Sequence, residues 1–362
     1  MKKNILLFLL TITIATFSCK KFDPDDAPLF VQINDFVWKG MNTYYLWQNE
    51  VPALGDNRFK TEEDLFNYLE GYDKPELLFE ALRHQPDVID KWSWIVDDYE
   101  ALEAYFSGVR KTSGAKIKLH LTAENSTDIY GYVRYIIPGS NAAATTLERG
   151  AVFNSVNGQL LTTSNYKDLI FNSTSFTLDL GTYFFNTTTQ IVEINSNNEH
   201  VTLTNGEYAE NPVHKKTVFE IDGQKIGYIM YNSFTSNYNN ELNDAFQYLK
   251  GENVTDLILD LRYNGGGSVQ TSMYLSSMIT GQFDGQIYTE EKWNPKIQEW
   301  MQENHPDWLV NHFSNIMVDN TSINNLNLDR VIVITTDNSA SASELVINAL
   351  KPYIDVVTIG TT

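Results

Sequence analysis

The sequence predicts a multidomain α/β protein: a helical N-terminal region, a β-rich middle and an α/β core built on parallel strands. Three observations carry that expectation. Apolar and aromatic residues recur at helical spacing from Leu29 to the neighbourhood of Lys111. Short alternating segments separated by Asn, Ser, Thr and Gly turns run from Ser113 to Asn211. From Lys216 onward, apolar runs of strand length alternate with helical patterns, which favours a parallel sheet with helical crossovers.

Residues 1–19 have the pattern of a signal peptide, with Lys2 and Lys3 ahead of the apolar run Ile5 to Ile14 and Thr16-Phe17-Ser18-Cys19 at its end. Cys19, the only cysteine of 362 residues, stands where a lipoprotein signal is cleaved and acylated. A plain signal peptide or a retained anchor is the competing reading, because Phe17 is bulky for that cleavage motif. Residues 20–29, polar and containing Pro24 and Pro28, read as a tether. The expected address is therefore the cell envelope, with the membrane reached through a lipid on Cys19. If Cys19 is acylated, no thiol is left for a disulfide, and stability must come from packing.

A formal net charge of −20 argues against nucleic acid or anionic lipid as a partner, since both require basic patches. Hydrophobic residues make up 42% of the chain, and 19 Phe, 20 Tyr and 7 Trp are ample for a core, so two or three domains are expected.

In the helical region, 30–112, Val31, Phe36, Val37, Met41, Tyr44 and Tyr45 recur at helical spacing. Thr61-Glu62-Glu63-Asp64 looks like a capped helix start, and Lys74-Pro75-Glu76 opens another helix. Trp38, Trp47, Trp92 and Trp94 read as core rather than as a sugar platform. In the β-rich stretch, 113–212, Tyr130-Gly131-Tyr132-Val133 is followed by Ile137-Pro138-Gly139-Ser140-Asn141-Ala142-Ala143, then Leu147-Glu148-Arg149-Gly150 and Val156-Asn157-Gly158. The stretch from Asn172 to Asn205 reads as exposed strand and turn.

In the core, 213–362, Lys225 to Tyr231 is a strand, Asn239 to Lys250 a helix with Leu242, Phe246 and Leu249 on one face, and Asp256 to Asp260 the next strand. Two stretches there carry the chemistry. Asp260-Leu261-Arg262-Tyr263-Asn264-Gly265-Gly266-Gly267 and Asn338-Ser339-Ala340-Ser341-Ala342-Ser343-Glu344 each follow a buried strand and open a helix. At such a junction the first helical N–H groups lack backbone partners and the macrodipole is positive, so an oxyanion can be held there. A glycine turn lets backbone N–H groups approach a carbonyl, and a neighbouring serine can present Oγ to it. Together they suggest acyl transfer. Singly, each has a plainer reading, as a nucleotide-binding turn and as helix capping by small residues. Asp260 and Arg262 are expected to hold their turn by hydrogen bonds, and the segment from Gly281 to Leu328 is expected to cover the cleft. None of the six histidines, His84, His120, His200, His214, His305 and His312, sits in a motif position, so a Ser-His-Asp triad is the runner-up mechanism. No zinc helix motif, phosphate loop or dinucleotide fingerprint is present, and no cofactor is expected.

The order strand, Leu-Asp-Leu-Arg-Tyr-Asn-Gly-Gly-Gly, helix, then strand, Ser-Ala-Ser-Ala-Ser-Glu, helix resembles the carboxyl-terminal processing peptidase family of serine peptidases, relatives of the tricorn core. The resemblance implies a crotonase/ClpP-like peptidase core. It makes Ser341 the nucleophile, Ala342 N–H one oxyanion donor and Gly266 N–H the second, with Gly267 as the alternative; Ser339 and Ser343 become structural. The helical lead-in is similar to the lipoprotein branch of that family, in which Asp90-Lys91-Trp92-Ser93-Trp94 has a counterpart. The spacing of 130–158 resembles a PDZ domain, which implies that Tyr130, Gly131, Tyr132 and Val133 offer N–H groups to a peptide's terminal carboxylate beside an edge strand. Ala151 departs from the usual Asp, and no basic residue marks that carboxylate pocket.

The resemblance further implies a lysine base about 25 residues beyond the nucleophile, which falls past Thr362; Lys351 matches no motif and is no substitute. Two readings follow. Either the sequence is an incomplete part of a Ser–Lys endopeptidase acting on unfolded or C-terminally recognised proteins, inactive without its lysine, or it is a truncated PDZ lipoprotein that binds peptides without cleaving them. A thioester-directed hydrolase or lyase on a crotonase-like core is the third reading.

Overall fold

The computed structural model describes residues 23–361, so the signal segment and Cys19 lie outside the described residues. Among these residues two compact units form: one of residues up to Ile95 with Lys292–Pro306, and one of Val96–Glu291 with the residues from Asp307 onward.

In the first unit, α1 (Leu29–Tyr44), α2 (Glu62–Leu69) and α3 (Pro75–Leu82) enclose a small core of Val31, Trp38 and Met41 against Leu65, Leu69, Leu78 and Leu82. The expected helix starts are present: Thr61 and Asp64 form a capping box, and Pro75 opens α3. The buried stripe of α1 differs from the one expected. It runs Val31, Asn34, Trp38, Met41, while Phe36 and Tyr44 point outward at 77% and 63% exposure. Asn34 conceals the period because it is polar yet buried. Its Nδ2 donates to Leu69 O at 3.0 Å and Tyr72 O at 2.9 Å, satisfying carbonyls at the end of α2. Trp92 and Trp94 are exposed, contrary to the core expectation. The buried Asp90 carboxylate accepts from Trp92 and Ser93 N–H and from Tyr45 OH, which shapes a turn that throws both indoles outward.

The second unit begins with α4 (Tyr99–Phe106) and β1 (Val109–Thr112). A six-stranded antiparallel sheet follows, made of β2 (Ala115–Leu121), β3 (Ile129–Ile136), β4 (Val152–Val156), β5 (Gln159–Leu160), β6 (Ser175–Asn186) and β7 (Ile191–Thr204). Its order is β2-β3-β4-β6-β7 with β5 on β4, and β8 (Gly206–Ala209) returns to β1. Strict alternation along β3 buries Ile129, Gly131, Val133 and Tyr135. The hairpin of β6 and β7 is long, and Tyr183, Phe184 and Phe185 near its tip are exposed.

This sheet corrects the expectation for Tyr130, Gly131, Tyr132 and Val133. They lie inside β3, flanked by β2 and β4; Gly131 faces Leu119 on one side and Phe153 on the other, and Val133 N–H donates to Ala151 O at 3.0 Å. Their N–H groups serve the ladder rather than a carboxylate. Gly131 is glycine for packing, because a Cβ there would meet Phe153 Cζ at 2.4 Å. The strands at the two ends of this order are β2 and β7.

The core sheet has the order β15-β14-β11-β10-β9. In chain order the elements from here on are β9 (Val213–Ile221), β10 (Gln224–Tyr231), α5 (Asn239–Gly251), β11 (Asp256–Asp260), α6 (Val269–Ile279), β12 (Ile287–Glu290), α7 (Pro295–Asn304, in the first unit), β13 (Val310–His312), β14 (Arg330–Thr335), α8 (Ala342–Leu350) and β15 (Asp355–Gly360), with β12 and β13 paired in a two-stranded sheet of their own. Among the five strands of the core sheet, only β9 runs antiparallel to the others. The helical crossovers bury Leu242, Phe246 and Leu249 of α5 against Leu257, Leu259, Val331 and Val333 of the strands. Phe313, Met317, Ile323 and Leu328 are buried in this core, and Leu326 and Leu328 N–H donate to the last carbonyls of α6. That part of the segment expected to cover the cleft is instead structural packing.

Gly131→Ala is expected to destabilise the second unit by about 1 to 3 kcal/mol, the usual range for overpacking a filled site. Urea unfolding measures this, and an unchanged midpoint would show that Phe153 can move aside without loss.

Candidate active site

β11 and β14 are adjacent parallel strands, with Asp260 opposite Ile334, so the turns leaving their C-terminal ends stand side by side. Hydroxyl groups bind one turn to the other. Thr336 Oγ1 donates to Arg262 O at 2.6 Å, Ser339 Oγ to Leu261 O at 2.8 Å and Ser343 Oγ to Asn264 O at 2.9 Å. Asn264, fully buried, adds its side chain: Nδ2 donates to Tyr231 O at 3.0 Å, and Oδ1 accepts from Gly266 N–H at 2.9 Å. Ser339 and Ser343 thus have the structural place that the resemblance implied. The parts of Asn264 and Thr336 were missed in the sequence, because nothing in a local pattern reveals which carbonyl across a sheet a side chain will meet.

Ser341 is exposed at the apex of the second turn, with φ 54° and ψ −116°. A non-glycine residue in that region costs about 1 to 3 kcal/mol, and such strain concentrates at functional turns of the strand-to-helix kind. Its N–H donates to Glu344 Oε2 at 2.9 Å, which fixes the start of α8. Gly266, at φ 104°, lies against it: a Cβ on Gly266 would stand 2.6 Å from Ser341 Cβ and 2.9 Å from Ala342 N. The two predicted turns therefore meet at Ser341, Ala342 and Gly266. Ala342 is the first residue of α8, and its N–H has no partner among the described hydrogen bonds. Gly266 N–H is already used by Asn264, whereas Gly267 N–H has no described partner. Gly267 is held by its neighbours: Phe234 N–H donates to Gly266 O, and Ser268 N–H donates to Phe234 O.

Under the glycine turn, Asp260 and Arg262 form a forked ion pair, with Arg262 Nη2 2.5 Å from Asp260 Oδ2, and Tyr228 OH donates to the same oxygen at 2.7 Å. Burial alone would raise the Asp260 carboxyl, but the hydrogen bonds from Arg262 and Tyr228 outweigh it and hold the group below its ordinary 3.8. Burial and the neighbouring Asp260 push the Tyr228 hydroxyl up to about 12. Asp260 and Arg262 hold the turn by hydrogen bonds, as expected from the sequence.

None of the six histidines is hydrogen-bonded to Ser341 among the described residues. His120 is stacked on Tyr130 and Tyr132, His214 lies 4.8 Å from Tyr135, and His200 Nδ1 is 2.7 Å from Asp179 Oδ1. Ser155 Oγ donates to the other Asp179 oxygen at 2.8 Å, so these three have triad composition in the wrong order, with the carboxylate in the middle. A lysine does reach the serine turn: Lys118 Nζ of β2 is 3.4 Å from Asn338 Oδ1.

Residues 225–362 match peptidase family S41, and residues 32–94 match the peptidase S41 N-terminal domain, together more than half of the chain. The chain belongs to peptidase family S41. It is 40% identical over 73 residues to carboxyl-terminal-processing peptidase 2 (chloroplastic) of Arabidopsis thaliana, a stretch covering 19% of this chain and 14% of that one. It is 33% identical over 78 residues to a carboxyl-terminal-processing protease of a Picosynechococcus species, covering 22% of this chain and 19% of that one. The chain thus spans less than a fifth of each of these relatives. A solved structure assigned to the S41 proteases, from Bacteroides fragilis, shares the fold with a TM-score of 0.63 at 24% identity, over 90% of this chain and 78% of that one.

Asp260→Asn is expected to lose about 3 kcal/mol at pH 7, the scale of a broken buried ion pair. Because the folded pKa of Asp260 is depressed, its contribution is present above the ordinary value of 3.8 and is lost as pH falls through the lower folded value. The difference between variant and parent in denaturant unfolding should therefore shrink below pH 3.8; a constant difference down to pH 2 would remove the ion pair as its cause.

Proposed function

We propose that this S41 chain is a serine endopeptidase acting on unfolded or C-terminally recognised proteins. The observation that carries the reading is Gly266 lying against a strained, exposed Ser341 at the start of α8. Ser341 Oγ attacks the scissile carbonyl and its proton passes to the base. The developing oxyanion takes the N–H of Ala342, with that of Gly267, or of Gly266 once Asn264 releases it; removing one such donor typically costs about 3 to 4 kcal/mol. Collapse of the tetrahedral intermediate returns the proton to the leaving amine and leaves an ester on Ser341 Oγ, which a water deprotonated by the same base cleaves to release the acid and restore the hydroxyl. The base in this reading is a lysine about 25 residues beyond the nucleophile, outside the described residues.

Other parts of the reading rest on the sequence. Cys19 is the proposed lipid attachment and the cell envelope the proposed location. The six-stranded sheet is proposed as PDZ-like, with the peptide added to edge strand β2 rather than gripped by Tyr130, Gly131, Tyr132 and Val133. Gly114, at φ 90°, turns the chain into β2, and Lys118 extends from that strand to Asn338, which supports a peptide track leading toward Ser341. A non-catalytic peptide binder is the second reading, favoured by the lack of any described lysine or histidine hydrogen-bonded to Ser341.

In the full-length gene product, Ser341→Ala is expected to lower turnover of an unfolded protein substrate about 1,000-fold or more while leaving peptide binding intact. Lys118→Met should keep turnover. Loss of activity in Lys118→Met with unchanged peptide affinity would transfer the base to Lys118, and a parent protein with binding but no serine-dependent cleavage would establish the non-catalytic reading.

A further inference from the structure

The second unit holds a cavity of about 420 Å³ that the catalytic turns do not use, within the size range of small-ligand sites. Tyr135 at the end of β3 and Phe219 and Tyr228 on β9 and β10 form aromatic walls. Arg149, His214 and Lys215 supply the polar lining, and no carboxylate lines it. On a chain of net charge −20 this is an exception.

The nearby carboxylates are already engaged. Glu210 accepts from Tyr135 OH at 2.8 Å and pairs with Lys116 at 2.8 Å, and Asp260 is held by Arg262 and Tyr228. Neither Arg149 nor Lys215 forms an ion pair among the described residues. The Arg149 guanidinium makes one described hydrogen bond, from Nη2 to Tyr263 OH at 3.2 Å, leaving further donors for a planar anion. Its exposed position and that of Lys215 set two cations at a cavity with apolar walls.

We propose that this cavity binds a carboxylate carried on an apolar or aromatic body, and that the glycine turn responds to its occupancy. The acid group meets Arg149 and Lys215, and the body lies among Tyr135, Phe219 and Tyr228. Three walls touch the turn directly: Arg149 bonds to Tyr263, Tyr135 stacks on Tyr263 with centroids 5.6 Å apart, and Tyr228 holds Asp260. A ligand drawing Arg149 toward itself weakens the Tyr263 contact and so bears on the segment that ends at Gly266 and Gly267. The carboxylate has two possible sources, a small organic acid or the free end of a peptide.

The test is calorimetry on the Ser341→Ala protein, so that its outcome is independent of whether the chain is a peptidase. The probes are 3-phenylpropanoate, its amide, and a short peptide ending in phenylalanine with a free or an amidated terminus. Saturable binding of the acids, about tenfold or more weaker for the amides, supports the site, since one charge-assisted contact is worth roughly that factor. Arg149→Gln, Lys215→Gln and Phe219→Ala should each weaken binding about fivefold or more with unchanged thermal midpoints, whereas Lys250→Gln should not. A free-ended peptide binding about tenfold more tightly than 3-phenylpropanoate assigns the site to a chain terminus, and equal affinities assign it to a small acid. Equal binding of acid and amide, or an undiminished Arg149→Gln/Lys215→Gln double variant, overturns the site. Amide exchange at residues 262–267 that does not change on saturation overturns the link to the glycine turn.

Discussion

The site depends on the hydrogen bonds that tie two βα turns into one body. A parallel sheet brings β11 and β14 side by side, but a sheet alone leaves the loops above it free to separate. Here Thr336, Ser339 and Ser343 each send a hydroxyl to a carbonyl of residues 261–264, and Asn264 fills the space below with both ends of its amide engaged. Buried polar groups of this kind add stability only when every member is satisfied, and a missing partner costs about 1 to 3 kcal/mol. The arrangement therefore tolerates few geometries. In the proposed function, that restriction serves to hold two backbone N–H groups and one hydroxyl toward a single carbonyl.

The strain at Ser341 follows from the same constraint. To leave β14 and enter α8 while keeping Oγ exposed, the backbone passes through a positive φ without a glycine. Ala340 and Ala342 on either side keep the turn narrow, and Gly266 has no side chain to push it away. Glu344 returns to Ser341 N–H, so one of the exposed donors at the start of α8 is satisfied and Ala342 N–H remains as the outward one. Beneath the other turn, Tyr228, Asp260 and Arg262 join the strand to the loop with charge-assisted bonds. The strain is held from both sides.

Much of this was legible in the sequence where local pattern and packing agree. The strands at 225–231, 256–260 and 330–335 and the apolar face of α5 follow from run length and periodicity, and the pairing of a glycine turn with a serine turn follows from composition at strand ends. What was not legible depended on partners distant in the chain. Asn34 looks like an interruption of α1 until the end of α2 supplies its carbonyls. Trp92 and Trp94 look like core until Asp90 turns the chain and exposes them. Gly131 looks like a site for close ligand approach until Phe153 occupies the space. Each error took a residue type as evidence of its usual role, and in each a single tertiary contact decided otherwise.

Ser155, Asp179 and His200 show why residue types alone do not make a catalytic site. The three are in hydrogen-bond contact on an exposed face of the β-rich sheet, and a search by composition would select them over Ser341, which touches no described histidine. Yet Asp179 accepts from both neighbours and also from Gly158 N–H, so the serine hydroxyl is tied down as a donor and the imidazole has no route to its proton. A nucleophile needs the base adjacent to it and unpaired N–H groups facing its target. Ser155 lies within a strand whose backbone is spent on its neighbours. Ser341 stands at a helix start where Ala342 N–H has no described partner and Gly266 lies against it, and this difference in backbone, rather than in side chains, separates the two serines.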